Sequence, residues 1–234
     1  MNRKVQNDRR RGPRTKLSPE TTKELLTRAI GEILAEDGWQ GLGVNKIAIR
    51  AGVDKKMIYY CFDSYNNMIK TYIKSQDFWE PVFRDFQDSP FPGGKEIPKF
   101  ITSIFEHQFN AFFADRIMQS LIHWQITEPN MMLKDISEER ELEGSKIAAL
   151  TDPHFEGSDF NFRAILAIMV GGIYYLVWHA RHNGSTVCGI DINENQDRED
   201  VVRSLGQIID LVWNAAEKVA SGKPKNRGHT DDAR

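Results

Sequence analysis

The sequence predicts an all-α chain: an N-terminal three-helix domain carrying a helix-turn-helix, then a larger C-terminal helical domain. Three observations carry this. Apolar residues recur at three- and four-residue spacing from Leu25 to Trp213, and no alternating run is long enough for a sheet. The segment 44–62, VNKIAIRAGVDKKMIYYCF, places a small residue, a glycine and an aliphatic residue where two closely crossing helices need them.

Residues 1–17 are polar and basic without apolar periodicity, which predicts a flexible arm. Ser18-Pro19-Glu20 then supplies an N-cap, a first-turn proline and a first-turn acid, and Leu25, Leu26, Ala29, Ile30, Ile33 and Leu34 share one helical face. Gly38 stops that helix. A second helix is expected over Val44–Ala51, a third over about 54–61 and a fourth over about 64–83.

Beyond these, helical signals are punctuated at Ser89-Pro90-Phe91-Pro92-Gly93-Gly94, Glu128-Pro129-Asn130, Asp152-Pro153 and over 183–195. Two late helices stand out: 160–182, nearly apolar through ILAIMVGGIYYLVW, and 198–220. The expected organisation is an arm at 1–17, a helix-turn-helix domain at 18–64, a larger helical domain at 65–222, and a frayed tail at 223–234.

Charge divides along the same line. The net charge is −2, yet residues 1–74 hold 15 Lys and Arg against 8 Asp and Glu, and residues 75–234 hold 16 against 25. A basic head on an acidic body suits a nucleic-acid partner, although seven of the positive charges lie in the first 16 residues and a basic tail alone would give the same sign. Cys61 and Cys188 stand far apart without metal-ligand spacing, so neither a disulfide framework nor a zinc site is expected. No apolar run reaches the roughly 20 residues of a membrane span and no secretory signal is evident, which predicts a soluble cytoplasmic protein with no membrane partner.

Within 44–62, Ala48 lets the helices cross, Gly52 takes the turn that a Cβ would disfavour, and Ile58 packs the second helix back on the first, with Ile47 and Val53 completing the local core. The residues left facing outward are Asp54, Lys55, Lys56, Met57, Tyr59 and Tyr60. Lysines on the first turns of a groove-reading helix can donate to guanine O6 and N7, while tyrosine hydroxyls bond phosphate. A solvated basic face on an ordinary helical hairpin is the plainer alternative.

The stretch from Leu25 through Ile69 closely resembles the N-terminal domain of the tetracycline-repressor (TetR) family, in IAIRAGV followed by IYYCF, with Gly38-Trp39 ahead of them. The resemblance implies a homodimeric repressor of palindromic double-stranded operator DNA, released by a small molecule that shifts the fourth helix. It implies that Tyr59 clamps a phosphate, that Phe62 is a core aromatic, and that Lys46 touches the DNA backbone. Gly43 stands where the family usually has Thr or Ser, Cys61 replaces a common His, and Tyr65 takes the place of a lysine that meets the backbone. Arg9, Arg10, Arg11 and Arg14 of the arm can compensate by following phosphates or entering the minor groove.

The resemblance further implies a four-helix dimer interface from the two late helices, and the residues agree: Gly171 and Tyr174 on one, Val202, Leu205, Ile209 and Trp213 at three- to four-residue spacing on the other. Helices around 78–86, 100–113, 118–124 and 174–182 offer Trp79, Phe83, His107, Phe112, His123, Trp124, Tyr175 and Trp178 for a flat or lipophilic effector, though an aromatic taken alone is more often plain core than pocket. His179 and His182 lie three apart, but no Glu-x-x-His pattern completes a metal site and no catalytic motif is evident, so neither enzyme nor cofactor is expected. The competing expectation is an activator, or a factor that binds a protein partner, without small-molecule induction.

Overall fold

The computed structural model describes residues 17–76 and 92–222, with side chains as far as Val219. Among these residues there are nine α-helices and no strand beyond an isolated bridge between Val187 and Ile190. The chain divides into two compact units, Met1–Tyr72 and Ile73–Arg234.

In the N-terminal unit, α1 spans Pro19–Asp37. Ser18 caps it by accepting the Thr21 N–H, and Gly38 ends it at φ 65°. A 3-10 turn, Trp39–Gly41, leads to α2 (Val44–Ala51), α3 (Lys56–Phe62) and α4 (Tyr65–Ser75). The core is one face of each helix: Leu26, Ile30 and Ile33 from α1, Ile47 and Ala48 from α2, Ile58 and Phe62 from α3, and Met68, Ile69 and Tyr72 from α4. The expected ends of α1 and α2 match; α3 starts two residues later than expected, because Asp54 and Lys55 form the turn that leads into it.

In the C-terminal unit, α5 (Ile97–Ala114), α6 (Arg116–Thr127), α7 (Met131–Phe155), α8 (Phe162–Trp178) and α9 (Asn195–Gly222) surround one apolar cluster. Phe109, Phe112, Ile173 and Ile209 lie at its fully buried centre. Helix α8 ends in a π-helical turn, His179–Asn183.

Two expectations change, at Pro153 and over the apolar span of α8. Asp152-Pro153 does not break α7, since Pro153 sits in the final turn and the helix ends two residues later. The break between α5 and α6 falls at Asp115, with no glycine or proline, where the carboxylate accepts the Ile117 and Met118 N–H groups. The span Phe162–Asn183 is long and apolar enough to cross a membrane by length and composition, and most of its apolar stretch is unburied in a single chain. Arg163 near its start and Arg181 near its end keep the uncharged run between them short of roughly 20 residues.

Candidate nucleic-acid interface and effector-side core

The turn joining α2 to α3 is built as the motif requires. Gly52 adopts φ 68°, ψ 24°, a left-handed conformation costly for a residue with a Cβ. Its N–H donates to Ile49 O at 3.1 Å and that of Val53 to Ala48 O at 3.0 Å. Ile47, Ala48 and Ile58 are buried, whereas Val53 is half-exposed and closes only the edge of the local core.

Ion pairs tie α2 to α1. Arg50 forks onto Glu36, Nη1 to Oε1 at 2.9 Å and Nη2 to Oε2 at 2.6 Å, and approaches Glu32 at 3.5 Å. Lys46 Nζ donates to Asp37 Oδ2 at 2.7 Å. The hydrogen bond from Arg50 holds the Glu36 carboxyl below its ordinary range, and that from Lys46 does the same for Asp37.

Lys55, Lys56, Tyr59 and Tyr60 are exposed beyond the turn, with Tyr59 at 50% and Tyr60 at 70%. Asp54 is exposed but occupied, because its carboxylate accepts the Lys56 N–H at 3.0 Å across the turn that leads into α3. Met57 is half-buried. Tyr65 is half-buried too, and burial pushes its phenol pKa up. Burial likewise raises the Cys61 thiol. Arg9, Arg10, Arg11 and Arg14 lie outside the described residues.

The sequence reading missed Ile49, 80% exposed on α2. It is the aliphatic residue out of phase with buried Ile47, Ala48 and Ala51, and that phase was the available signal.

In the C-terminal unit the expected effector residues scatter. Phe112 is fully buried, with its ring 4.7 Å from Tyr174 and 6.2 Å from Trp178. Trp178 donates its indole N–H to Gln119 O at 3.1 Å, and Trp124 is buried. Among the described residues Phe112, Tyr174 and Trp178 pack on one another. Tyr175, His107 and His123 are exposed, His123 lying edge-on to Trp178 at 5.3 Å. Trp79 and Phe83 lie outside the described residues.

A cleft with a largely apolar lining lies between α5, α7 and α8, with a volume of about 480 Å³. Ile101, Ile104, Phe105, Ile147, Leu166 and Val170 form its walls, and Glu141, Ser145 and Arg163 add polar groups. None of the aromatic candidates lines it; Gly171, expected at a dimer interface, does.

The expected dimer stripe is also redistributed. Leu205, Ile209 and Trp213 are buried in their own unit, Val202 is half-buried, and Tyr174 packs on Phe112. A different apolar row is exposed: Ile168 at 74% and Tyr175 at 56% on α8, Ile208 at 40% and Leu211 at 69% on α9.

No protein-family model and no curated protein matches the chain. Solved structures do. The fatty acid degradation regulator FadR from Bacillus halodurans is 17% identical with a TM-score of 0.55, covering 83% of this chain and 96% of that one. FadR from Bacillus subtilis, solved in complex with stearoyl-CoA, is 17% identical with a TM-score of 0.54, covering 86% and 99%. A TetR family transcription regulator from Marinobacter aquaeolei is 16% identical with a TM-score of 0.50, covering 86% and 95%. The fold is therefore that of TetR-type transcriptional regulators.

Proposed function

We propose that this chain is a ligand-responsive transcriptional regulator of the TetR type, a dimeric repressor of palindromic operator DNA released by a hydrophobic effector. The observation that carries the reading is the α2–α3 pair: a left-handed Gly52 between two short helices, with Lys55, Lys56, Tyr59 and Tyr60 exposed on the second. Lysines at the start of a recognition helix reach base edges, and the tyrosines beyond them reach phosphates. Ile49 suits contact with a thymine methyl group.

One such head reads only a half-site, so two are needed for a palindrome. The exposed row Ile168, Tyr175, Ile208 and Leu211 gives the C-terminal unit a surface for a second copy. Helix α8 is mostly unburied in a single chain despite its hydropathy, which supports the same assignment.

The Bacillus subtilis neighbour carries stearoyl-CoA, and the apolar cleft between α5, α7 and α8 supports a hydrophobic effector here as well. Linkage then requires effector and DNA to weaken each other by the same factor.

Selection from randomised duplex DNA by the purified protein tests the reading, in parallel with a Lys55→Ala/Lys56→Ala/Tyr59→Phe variant. A palindrome enriched by the parent alone supports it. No enrichment at low salt overturns it and favours a protein partner.

A further inference from the structure

The cleft between α5, α7 and α8 is chemically directional. At one end Arg163, in the first turn of α8, borders both this cleft and a second one of about 470 Å³ lined by Asp152, Phe155, Phe160 and Phe162. Its guanidinium is held by Asp152, Nε to Oδ1 at 2.9 Å and Nη2 to Oδ2 at 2.6 Å. Both side chains are 49% exposed. A planar fork already set for a carboxylate will accept another carboxylate in the same geometry. Exchange is undemanding, because an ion pair so open to water contributes little stability and Asp152, once released, is rehydrated.

The walls run away from this end along parallel rows. On α5, Ile101, Ile104 and Phe105 continue at helical spacing to Gln108; on α8, Leu166 and Val170 continue to Tyr174. Gln108 donates its side-chain N–H to the Tyr174 hydroxyl at 3.3 Å, so the two rows meet one turn beyond the cleft lining. Gln108 is 2% exposed, and its Oε1 is the buried side-chain oxygen that finds no hydrogen-bond partner among the described residues. A buried amide oxygen left unpaired is costly and marks a place where a donor is wanted. From Arg163 to Tyr174 the helical rise amounts to about 16 Å, the reach of an extended medium-length alkyl chain.

We infer that the effector is an elongated amphipathic carboxylate: its head displaces Asp152 from Arg163, its alkyl body lies against Ile101, Ile104, Phe105 and Val170, and a hydroxyl at its far end donates to Gln108 Oε1. This rests on the effector-responsive reading above but specifies which chemistry the site accepts. No bond is made or broken; binding exchanges one carboxylate for another on the same guanidinium.

Calorimetric titration of the full-length protein, without DNA, tests it with three probes: ω-hydroxydodecanoate, dodecanoate and dodecanol. The expected order is ω-hydroxydodecanoate tightest, dodecanoate several-fold weaker, and dodecanol at least tenfold weaker than dodecanoate. Arg163→Gln removes the preference of dodecanoate over dodecanol. Asp152→Asn tightens both carboxylates by freeing the fork. Gln108→Leu removes the preference for the hydroxylated chain, and Gln108→Met serves if the leucine variant loses helicity. Dodecanol equal to dodecanoate in the parent, an unchanged preference in Arg163→Gln, no gain from the terminal hydroxyl, or no binding of any probe would each overturn the inference. Since DNA is absent, failure here leaves operator recognition intact. Conversely, carboxylate binding that leaves DNA affinity unchanged overturns induction while this site stands.

Discussion

Lys46 on α2 reaches back to Asp37 at the end of α1, Nζ to Oδ2 at 2.7 Å, so a lysine resembling a DNA-backbone contact is already engaged within its own unit. Lys55 and Lys56 are exposed at the start of α3, where Asp54 lies 4.0 Å from Lys56 Nζ. Each of Lys55→Ala and Lys56→Ala should lower the slope of log affinity against log salt by about one. Lys46→Ala should lower it by less, and Asp37→Asn should raise affinity by freeing the lysine. Titration of duplex DNA at several salt concentrations decides this; equal slopes for all three lysine variants would contradict it.

The α1–α2 ion pairs carry a pH signature. Hydrogen bonds from Arg50 and Lys46 lower the pKa values of Glu36 and Asp37. Near and below the ordinary carboxylate range of about 4, the unfolded chain therefore binds more protons than the folded one. The contribution is complete above that range and is lost as pH falls through the lowered values. Urea unfolding of the parent and of Glu36→Gln/Asp37→Asn should show a stability gap at neutral pH that narrows toward pH of about 3. A gap independent of pH would assign the effect to packing.

Gly43 precedes α2 in an extended conformation, φ −177°, and contributes no side-chain cap; a Cβ built there meets nothing within 4 Å. Gly43→Ser should stabilise the protein by about 0.5–1 kcal/mol, partly by capping and partly by narrowing the unfolded ensemble. A lower urea midpoint would show that the serine cannot reach the first-turn amides.

Asp63, between α3 and α4, sits at φ 65°, ψ −36°, and the following Ser64 N–H bonds Phe62 O across it at 2.7 Å. Such a three-residue turn is strained for a residue with a Cβ. Asp63→Gly should therefore stabilise by about 1 kcal/mol, the strain relief exceeding the entropy that glycine adds to the unfolded chain. An unchanged or lower denaturation midpoint would assign the aspartate a compensating contact.

Gly206 brings α9 close to α5, and a Cβ there would stand 2.9 Å from Thr102 Cγ2. Because threonine is stiff at χ1, Gly206→Val should cost about 1–3 kcal/mol. Adding Thr102→Ala should recover part of the loss, and a double-mutant cycle with no coupling would place the strain elsewhere.

What was legible in the sequence was what is decided locally. Ser18, Pro19 and Gly38 fix α1 because caps act on their own helix, and Ala48, Gly52 and Ile58 define the turn because their spacing is short. Pro153 misled because the helix runs on only two residues past it, so the N–H bond that a proline forgoes is lost in the last turn and not in the middle of the helix. On α9, periodicity yields two apolar rows, and nothing local distinguishes the row of Leu205, Ile209 and Trp213, which fills its own core, from Ile208 and Leu211, which stay exposed. The cleft was invisible for a related reason: its walls are ordinary core aliphatics, brought together by three helices distant in sequence, while the conspicuous aromatics Phe112 and Trp178 pack on one another.

The exposed row on α8 and α9 has a consequence for dosage. A freshly made chain carries Ile168 and Leu211 bare to water, a state that favours adhesion to whatever apolar surface is nearest. If a second copy covers them, the concentration of the paired form in dilute solution rises with the square of the free-chain concentration, and its resistance to unfolding rises with it. Small changes in synthesis rate would then be amplified in how much working protein a cell holds, a sharpening of response that needs no ligand.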